Sequence, residues 1–279
     1  MNARNHTTGR KCGAVQPGSA WALVTGAGSG IGRCYALRLA ALGYNLVLAG
    51  NRAEPLETVR REIEGAAPGI RIRTVAIDLA RLGAAGELHD FTRREGIDID
   101  VLINNAGIFS FCDLLNTPAE RIERIILLHD LTNTEMCRLY AADMIRRGKD
   151  GHILNMSSYS LWMPFPGLSL YSASKAYLRA FSVAFAKEVR EAGIRVTAVC
   201  PAGVATDLYG LTPRWQRIGM SVGALISADA CARRGLRGLW RGRRTIVPDW
   251  WNRLWIPLCK LLPMALIAPL RRFTMQFQK

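Results

Sequence analysis

An α/β chain with a doubly wound parallel sheet is the fold class that the sequence predicts, and three observations predict it. Short, near-continuous apolar runs alternate with longer helical patterns from Ala20 to about Val247. Such runs suit strands covered on both faces, as in a parallel sheet flanked by helices. The first run leads directly into Gly26-Ala27-Gly28-Ser29-Gly30-Ile31-Gly32, a glycine cluster placed between a strand and a helix. The chain also has 279 residues, 49% of them hydrophobic, enough for one full core in a single domain.

The elements follow in order from apolar periodicity and breaker residues. Ala22-Leu23-Val24 is the first strand, and a helical stretch runs from the glycine cluster to Gly43. Leu46-Val47-Leu48 is the second strand, followed by a helix near Pro55 to Glu64. Ile72 to Ile77 forms a third strand and Val101-Leu102-Ile103 a fourth. Ile153-Leu154 and Val196-Thr197-Ala198-Val199 are later strands, each preceded by a helix with apolar periodicity. Ser227-Ala228-Asp229 marks a helix N-terminus and Thr245-Ile246-Val247 a last short strand. The expected organisation is a flexible polar extension over 1–19, a catalytic domain over 20–248 and a basic, apolar tail over 249–279. The extension lacks the apolar segment of a signal peptide.

Composition narrows the function classes. The seven cysteines are odd in number and scattered without a Cys-x-x-Cys pair. That argues against a disulfide framework or a zinc site, so no metal is expected, and it fits a reducing, cytoplasmic setting. The formal net charge is +15, and from Leu208 onward 13 Lys and Arg face only Asp229 and Asp249. A basic excess of this kind suits an anionic partner such as a lipid surface. Its arginines are interleaved with Leu and Trp in no nucleic-acid recognition motif, so nucleic-acid binding is not expected.

Ser158, Tyr171 and Lys175 carry the chemistry. Tyr171 and Lys175 are four apart, which on a helix places ammonium and phenol on one face. A phenol ionises near pH ~10, and a fixed cation beside it lowers that value by favouring phenolate. A hydroxyl from Ser158 would hold a carbonyl or alkoxide oxygen next to the tyrosine. This is a proton-transfer site for interconverting a carbonyl and an alcohol.

The glycine cluster supplies the other half of such a reaction. Gly26 permits the tight turn, Gly30 lets backbone approach a pyrophosphate, and Gly32 allows close helix–strand packing. The following helix N-terminus offers free N–H groups to phosphates. At the end of the second strand an acid would bind the ribose of NAD, whereas a base would pair with the 2′-phosphate of NADP. The chain reads Ala49-Gly50-Asn51-Arg52, with Arg33 as a second candidate cation, so NADP(H) is favoured over NAD(H).

With Thr25-Gly26-x-x-x-Gly30-Ile31-Gly32, Asn104-Asn105-Ala106-Gly107, Ser158 and Tyr171-x-x-x-Lys175 in one order, the chain resembles the short-chain dehydrogenase/reductase family, with its Rossmann-like fold. The resemblance covers roughly Ala20 to Val247 and leans toward the lipid- and steroid-acting branch that includes 3-oxoacyl reductases. It implies that Tyr171 is the general acid/base, that Ser158 positions the substrate oxygen, and that Lys175 binds nicotinamide ribose and lowers the tyrosine pKa. Ser158 is chosen over Ser157 because the family places its serine thirteen residues before the tyrosine. The resemblance also assigns Ser29, Ile31, Asp78, Leu79, Asn105, Val204 and Thr206 to the nucleotide. Ala202 stands where the family has a glycine, so a local difference in backbone is expected. The family's usual asparagine, which holds a water on the lysine, is replaced by His129, or by Asp130 if the register slips by one. Histidine at that place either serves the proton relay or is a hydrogen-bonded core residue.

Substrate and partners follow from the remaining apolar positions. Leu208, Tyr209, Leu211, Trp215, Ile218 and Met220 fall in the region that closes over substrate in this family, and Leu161, Trp162, Met163, Phe165 and Leu168 precede the tyrosine. They point to a hydrophobic ketone or alcohol, of 3-oxoacyl or steroid type. After Pro248 come Trp250, Trp251 and Trp255 and an apolar stretch broken by Pro257, Lys260, Pro263 and Pro269. It is shorter than the ~20 residues that span a bilayer, so it is read as interfacial, the competing role being to pack on another subunit or over the active site. A homo-oligomer is expected. A nucleotide-binding regulatory protein without turnover is the alternative function.

Overall fold

The computed structural model describes residues 13–163, 165–206, 208, 212–249, 252, 254 and 256. The strands are Trp21–Thr25 (β1), Asn45–Gly50 (β2), Ile72–Ala76 (β3), Ile99–Asn104 (β4), Gly151–Met156 (β5), Ile194–Val199 (β6), Gly203–Ala205 (β7), Leu225–Ser227 (β8) and Thr245–Ile246 (β9). The helices are Gly30–Ala41 (α1), Ala53–Ala66 (α2), Ala84–Arg94 (α3), Ala119–Ile126 (α4), Asn133–Arg146 (α5), Ser169–Glu188 (α6), Pro213–Ser221 (α7) and Ala228–Trp240 (α8). Seven strands form one sheet in the order β3-β2-β1-β4-β5-β6-β9, with every pair parallel. The expected doubly wound α/β fold is present.

Strand alternation sorts the core into two layers. Ala22 and Val24 of β1, with Leu46 and Leu48 of β2, join Tyr35, Leu39, Ile63 and Leu236 on one face. Trp21, Leu23, Val47 and Ala49 point the other way and join Leu88, Tyr140, Met144 and Ala186. Burying each large apolar side chain contributes about 1.5–3 kcal/mol, so both layers resist a register slip. On the first face α8 packs close. A Cβ on Gly235 would lie 2.3 Å from the Tyr35 hydroxyl, and one on Gly238 would lie 1.7 Å from Ile246 Cδ1. The helix starts at Ser227, whose side chain accepts the N–H of Ala230 at 3.1 Å, a capping arrangement that satisfies an orphan donor.

Three features depart from the sequence expectation or add to it. The first is a two-stranded parallel ribbon, β7 with β8, which carries α7 on the connection between them. The second is a wide π-helical turn, Leu127–Thr132, between α4 and α5. The third lies within the expected flexible extension: Val15 and Gly18 donate to the carbonyls of Leu42 and Gly43 at 3.0 and 2.9 Å, so residues 13–19 are docked on the turn before β2. Among the described residues no helix is long and apolar enough to cross a membrane. Trp250, Trp251, Trp255 and residues 257–279 lie outside the described residues.

The sheet order reverses at β1, which pairs with β2 on one side and β4 on the other. A crevice beyond the C-terminal strand ends at such a switch point is where open α/β sheets bind ligands.

Candidate active site

The crevice is a cleft of about 440 Å³, and it gathers the residues singled out in the sequence. Gly26, Ser29, Gly30, Ile31, Arg52, Asp78, Leu79, Asn105, Ser158, Tyr171, Lys175, Val204 and Thr206 all line it. Gly32 lies just behind the turn, where a Cβ would stand 2.1 Å from the Gly26 carbonyl oxygen. No side chain fits there. Gly30 has φ +53° and an added Cβ would sit 3.3 Å from Thr206 Cγ2, so the turn keeps its backbone open toward the cleft. Asn105 secures it: its side-chain amide donates to the carbonyls of Thr25 and Gly26 at 3.0 and 3.3 Å. The Thr25 hydroxyl oxygen accepts the N–H groups of Asn105 and Ala106, each at 3.0 Å.

The residues expected at the adenosine end differ in their partners. Asp78 accepts the Ala80 N–H at 2.9 Å and pairs with Arg124 at 3.0 Å. Burial pushes its carboxyl up, but these contacts outweigh it and hold the group below the usual range. Arg52 is exposed at the start of α2 and forms no salt bridge among the described residues. Arg33 is different. Its guanidinium is forked onto Glu62, with Nε donating at 2.7 Å, and it lies outside the lining of the cleft. Arg124, on α4, was not legible as a site residue because its partner Asp78 lies far away in sequence.

Tyr171 and Lys175 sit on buried turns of α6. Lys175 Nζ donates to the Met156 carbonyl at 2.9 Å and lies 5.7 Å from the centre of the Tyr171 ring. Burial pushes the ammonium down to about 8, opposed by the Asp130 carboxylate and the Cys200 thiol. Ser157 donates to the Lys175 carbonyl at 2.6 Å, whereas the Ser158 oxygen accepts only a longer bond, 3.2 Å, from the N–H of Ser160. Of the two serines, Ser158 has the hydroxyl better disposed for a substrate oxygen. Phe109 stands edge-on to Tyr171 at 5.1 Å between ring centres, and Phe111 stacks on Phe165 at 6.1 Å. Neither Phe109 nor Phe111 was singled out, because a Phe-x-Phe loop carries no signal of its own.

His129 is fully buried in the π-helical turn. Its Nε2 accepts the Ile108 N–H at 3.0 Å, and its Nδ1 lies 2.9 Å from Ser174 Oγ. Ser174 gives its own proton to the Tyr171 carbonyl at 2.9 Å, so the network assigns the proton to His129 Nδ1. Burial first, and the Lys175 charge second, hold the imidazole well below its usual pKa. Both nitrogens are therefore occupied on a neutral ring, which props the helix of Tyr171. The carbonyls freed by the π turn are capped by the Asn133 amide, at 2.8 Å to Leu128 and 3.0 Å to His129. Gly107 lies against this cluster, its missing Cβ 3.2 Å from His129 Nε2 and 3.4 Å from Lys175 Nζ. Beside it, burial pushes the Asp130 carboxyl up to about 6, against the pull of Lys175.

The segment from Pro201 to Thr206, where a local difference was expected at Ala202, carries no backbone strain. No described residue other than glycine has positive φ, so alanine fits that backbone without strain. Of the expected substrate-facing residues, Leu208, Trp215, Ile218 and Met220 are exposed on or near α7; Tyr209 and Leu211 lie outside the described residues. Leu161, Trp162 and Met163 pack on a small buried cluster of Tyr159, Cys200 and Val247.

Comparison with known proteins agrees with this geometry. The family profile described as short chain dehydrogenase matches residues 20–217. A very-long-chain 3-oxoacyl-CoA reductase of Coccidioides immitis is 36% identical over 195 residues, 68% of this chain and 55% of that protein. A 17-beta-hydroxysteroid dehydrogenase type 3 of Mus musculus is 36% identical over 193 residues, 67% of this chain and 61% of that protein. The chain thus spans little more than half the length of the relatives it matches. Among solved structures, a short-chain dehydrogenase from Sphingobium yanoikuyae in complex with NADPH superposes with a TM-score of 0.74 at 27% identity, covering 92% of this chain and 95% of that one. With the profile covering most of its length, the chain belongs to the short-chain dehydrogenase family.

Proposed function

We propose that the protein is an NADP(H)-dependent oxidoreductase that interconverts a ketone and a secondary alcohol on a hydrophobic substrate, of 3-oxoacyl or steroid type. The observation that carries this reading is one cleft lined by the glycine turn and by Ser158, Tyr171 and Lys175 together. The turn fits a dinucleotide because Gly30, at φ +53°, leaves its backbone open toward the cleft, while Gly32 lets the helix pack directly against Gly26 behind it. Gly26, Ser29, Gly30 and Ile31 would hold the pyrophosphate, Asp78 and Leu79 the adenine, and Val204 and Thr206 the nicotinamide amide. A bound nicotinamide supplies or accepts the hydride. Tyr171 gives a proton to the carbonyl oxygen in reduction and takes it back in oxidation. Ser158 holds that oxygen by a hydrogen bond. Lys175, fixed by the Met156 carbonyl, keeps positive charge beside the phenol and favours phenolate.

The names of the relatives, a very-long-chain 3-oxoacyl-CoA reductase and a 17-beta-hydroxysteroid dehydrogenase, support a lipid-type substrate. Arg52, at a strand end without an acid, supports NADP(H), and reduction is then the favoured direction. His129 acts through its neighbours as a positioning residue. The test is a screen of purified protein with NADPH against ketones, steroids and 3-oxoacyl thioesters, with Tyr171→Phe beside the wild type. Turnover in the wild type that is abolished in Tyr171→Phe, with nucleotide binding kept, is expected. Near wild-type turnover in the mutant would overturn the mechanism, and nucleotide binding without turnover on any carbonyl would favour a regulatory protein.

A further inference from the structure

Past β9, the described residues Asp249, Asn252 and Ile256 stay in contact with loops beside the cleft. Asp249 is only 6% exposed, and its Oδ2 accepts the Ala202 N–H at 3.3 Å. Its Oδ1 lies 3.7 Å from Arg234 Nη1 on α8, and that nitrogen also donates to the Pro248 carbonyl at 2.8 Å. Three residues on, the Asn252 carbonyl accepts the Tyr159 hydroxyl at 2.8 Å. Tyr159 follows the serine of the site, and its N–H donates to the Pro201 carbonyl at 2.8 Å. Ile256 then packs on the cluster of Tyr159, Cys200 and Val247. The segment after Val247 is thereby bonded to the two loops that flank the reacting centre, one carrying Ser158 and the other running from Pro201 to Thr206.

We infer that Asp249 is a positioning residue for hydride transfer, holding the Pro201–Thr206 segment in place through the Ala202 N–H. The inference rests on the reading of the cleft as a nicotinamide site. A buried carboxylate is costly unless it is paired and hydrogen-bonded. Here Ala202 supplies a hydrogen bond to Oδ2 and Arg234 a charge 3.7 Å from Oδ1, and burial still outweighs them and holds the carboxyl above its usual pKa. The bond falls two residues before Val204 and four before Thr206, both of which line the cleft. A shift of Ala202 would carry them with it. The first residues of the tail are thus a strut of the active site.

The experiment compares Asp249→Ala, Asp249→Asn and Tyr159→Phe in the full-length protein. It reads kcat, the dissociation constant for NADPH, and the isotope effect with NADPH deuterated at the transferred position. Small misplacement of reacting groups is costly, so Asp249→Ala should lower kcat by about tenfold or more and raise the isotope effect, while nucleotide affinity changes far less. Asp249→Asn keeps an oxygen acceptor for Ala202 and should restore most of kcat. Wild-type kcat and isotope effect in Asp249→Ala would overturn the inference, as would equal loss in the Asn and Ala variants. If Asp249→Ala does not fold, Tyr159→Phe decides: it should lower kcat and raise the isotope effect, and unchanged values would overturn the inference. A wild type with no NADPH-linked turnover would overturn the reading of the cleft instead.

Discussion

In the proposed mechanism Lys175 must stay charged, and burial works against that charge. Burial brings it to about 8, and the Asp130 carboxylate opposes that fall. The sign follows directly. If the cation must be present for Tyr171 to work, kcat/KM declines as pH rises through about 8, and Asp130→Asn, by removing the opposing charge, moves that decline to lower pH. Below about 6, where Asp130 itself is protonated, the two proteins should converge. His129 is neutral and the Cys200 thiol is pushed up to about 11, so neither competes for this effect. A pH–rate profile of both proteins checks it, and superimposable alkaline limbs would refute the coupling. At the adenosine end, Arg52→Ala should weaken NADPH binding by about 1.5–3 kcal/mol and NADH binding far less, as read by fluorescence titration of both nucleotides. Equal losses would remove Arg52 as the discriminator. Residue identities were legible where spacing carries meaning, as in Tyr171-x-x-x-Lys175. They were not legible where the fold chooses partners: nothing in the local sequence says that Glu62 ties up Arg33 or that Asp249 reaches Ala202.

At the scale of elements, the seven strands of the large sheet were readable, most of them because they are near-continuous apolar runs; β3, with Arg73 and Thr74 inside it, was read from Ile72, Val75 and Ile77. β7 and β8 were not, since three residues show no period. The π turn was likewise hidden: it alters backbone hydrogen bonding without changing the apolar pattern of the long helix, and such turns often mark functional sites. The turn between β1 and α1 shows how far one position constrains an element. Because a Cβ at Gly32 meets the Gly26 carbonyl at 2.1 Å, Gly32→Ala must push α1 away from the turn. Overpacking of this kind costs about 1–3 kcal/mol. The expected result is a lower urea midpoint together with loss of NADPH binding. A variant with wild-type stability and affinity would show that the turn can relax.

The whole molecule is asymmetric in charge, with 13 Lys and Arg against two Asp from Leu208 onward. We propose that the segment 250–279, with its three tryptophans, docks on anionic membranes without crossing them. Basic residues near such a surface contribute about 1 kcal/mol each and are screened by salt, while apolar contact persists. Liposome co-sedimentation should therefore show binding to anionic vesicles that weakens in salt, and that falls when residues after Ile256, with Lys260, Arg271, Arg272 and Lys279, are removed. Full-length protein left in the supernatant at low salt would refute docking. The ribbon of β7 and β8 has a different consequence. Gly203–Ala205 and Leu225–Ser227 run side by side in parallel, so the chain departs from the edge of the cleft and returns to the same place. The entropy of closing such an excursion grows by only about 0.6 kcal/mol for each doubling of its length. Thr206 and Leu208, next to the first clamped end, line the cleft, so a change in length is tolerated best in the part of the excursion nearer β8. On the proposed function, the two-stranded clamp anchors a loop that can shape the substrate side of the cleft while the strand ends that carry Ser158 and the glycine turn stay fixed.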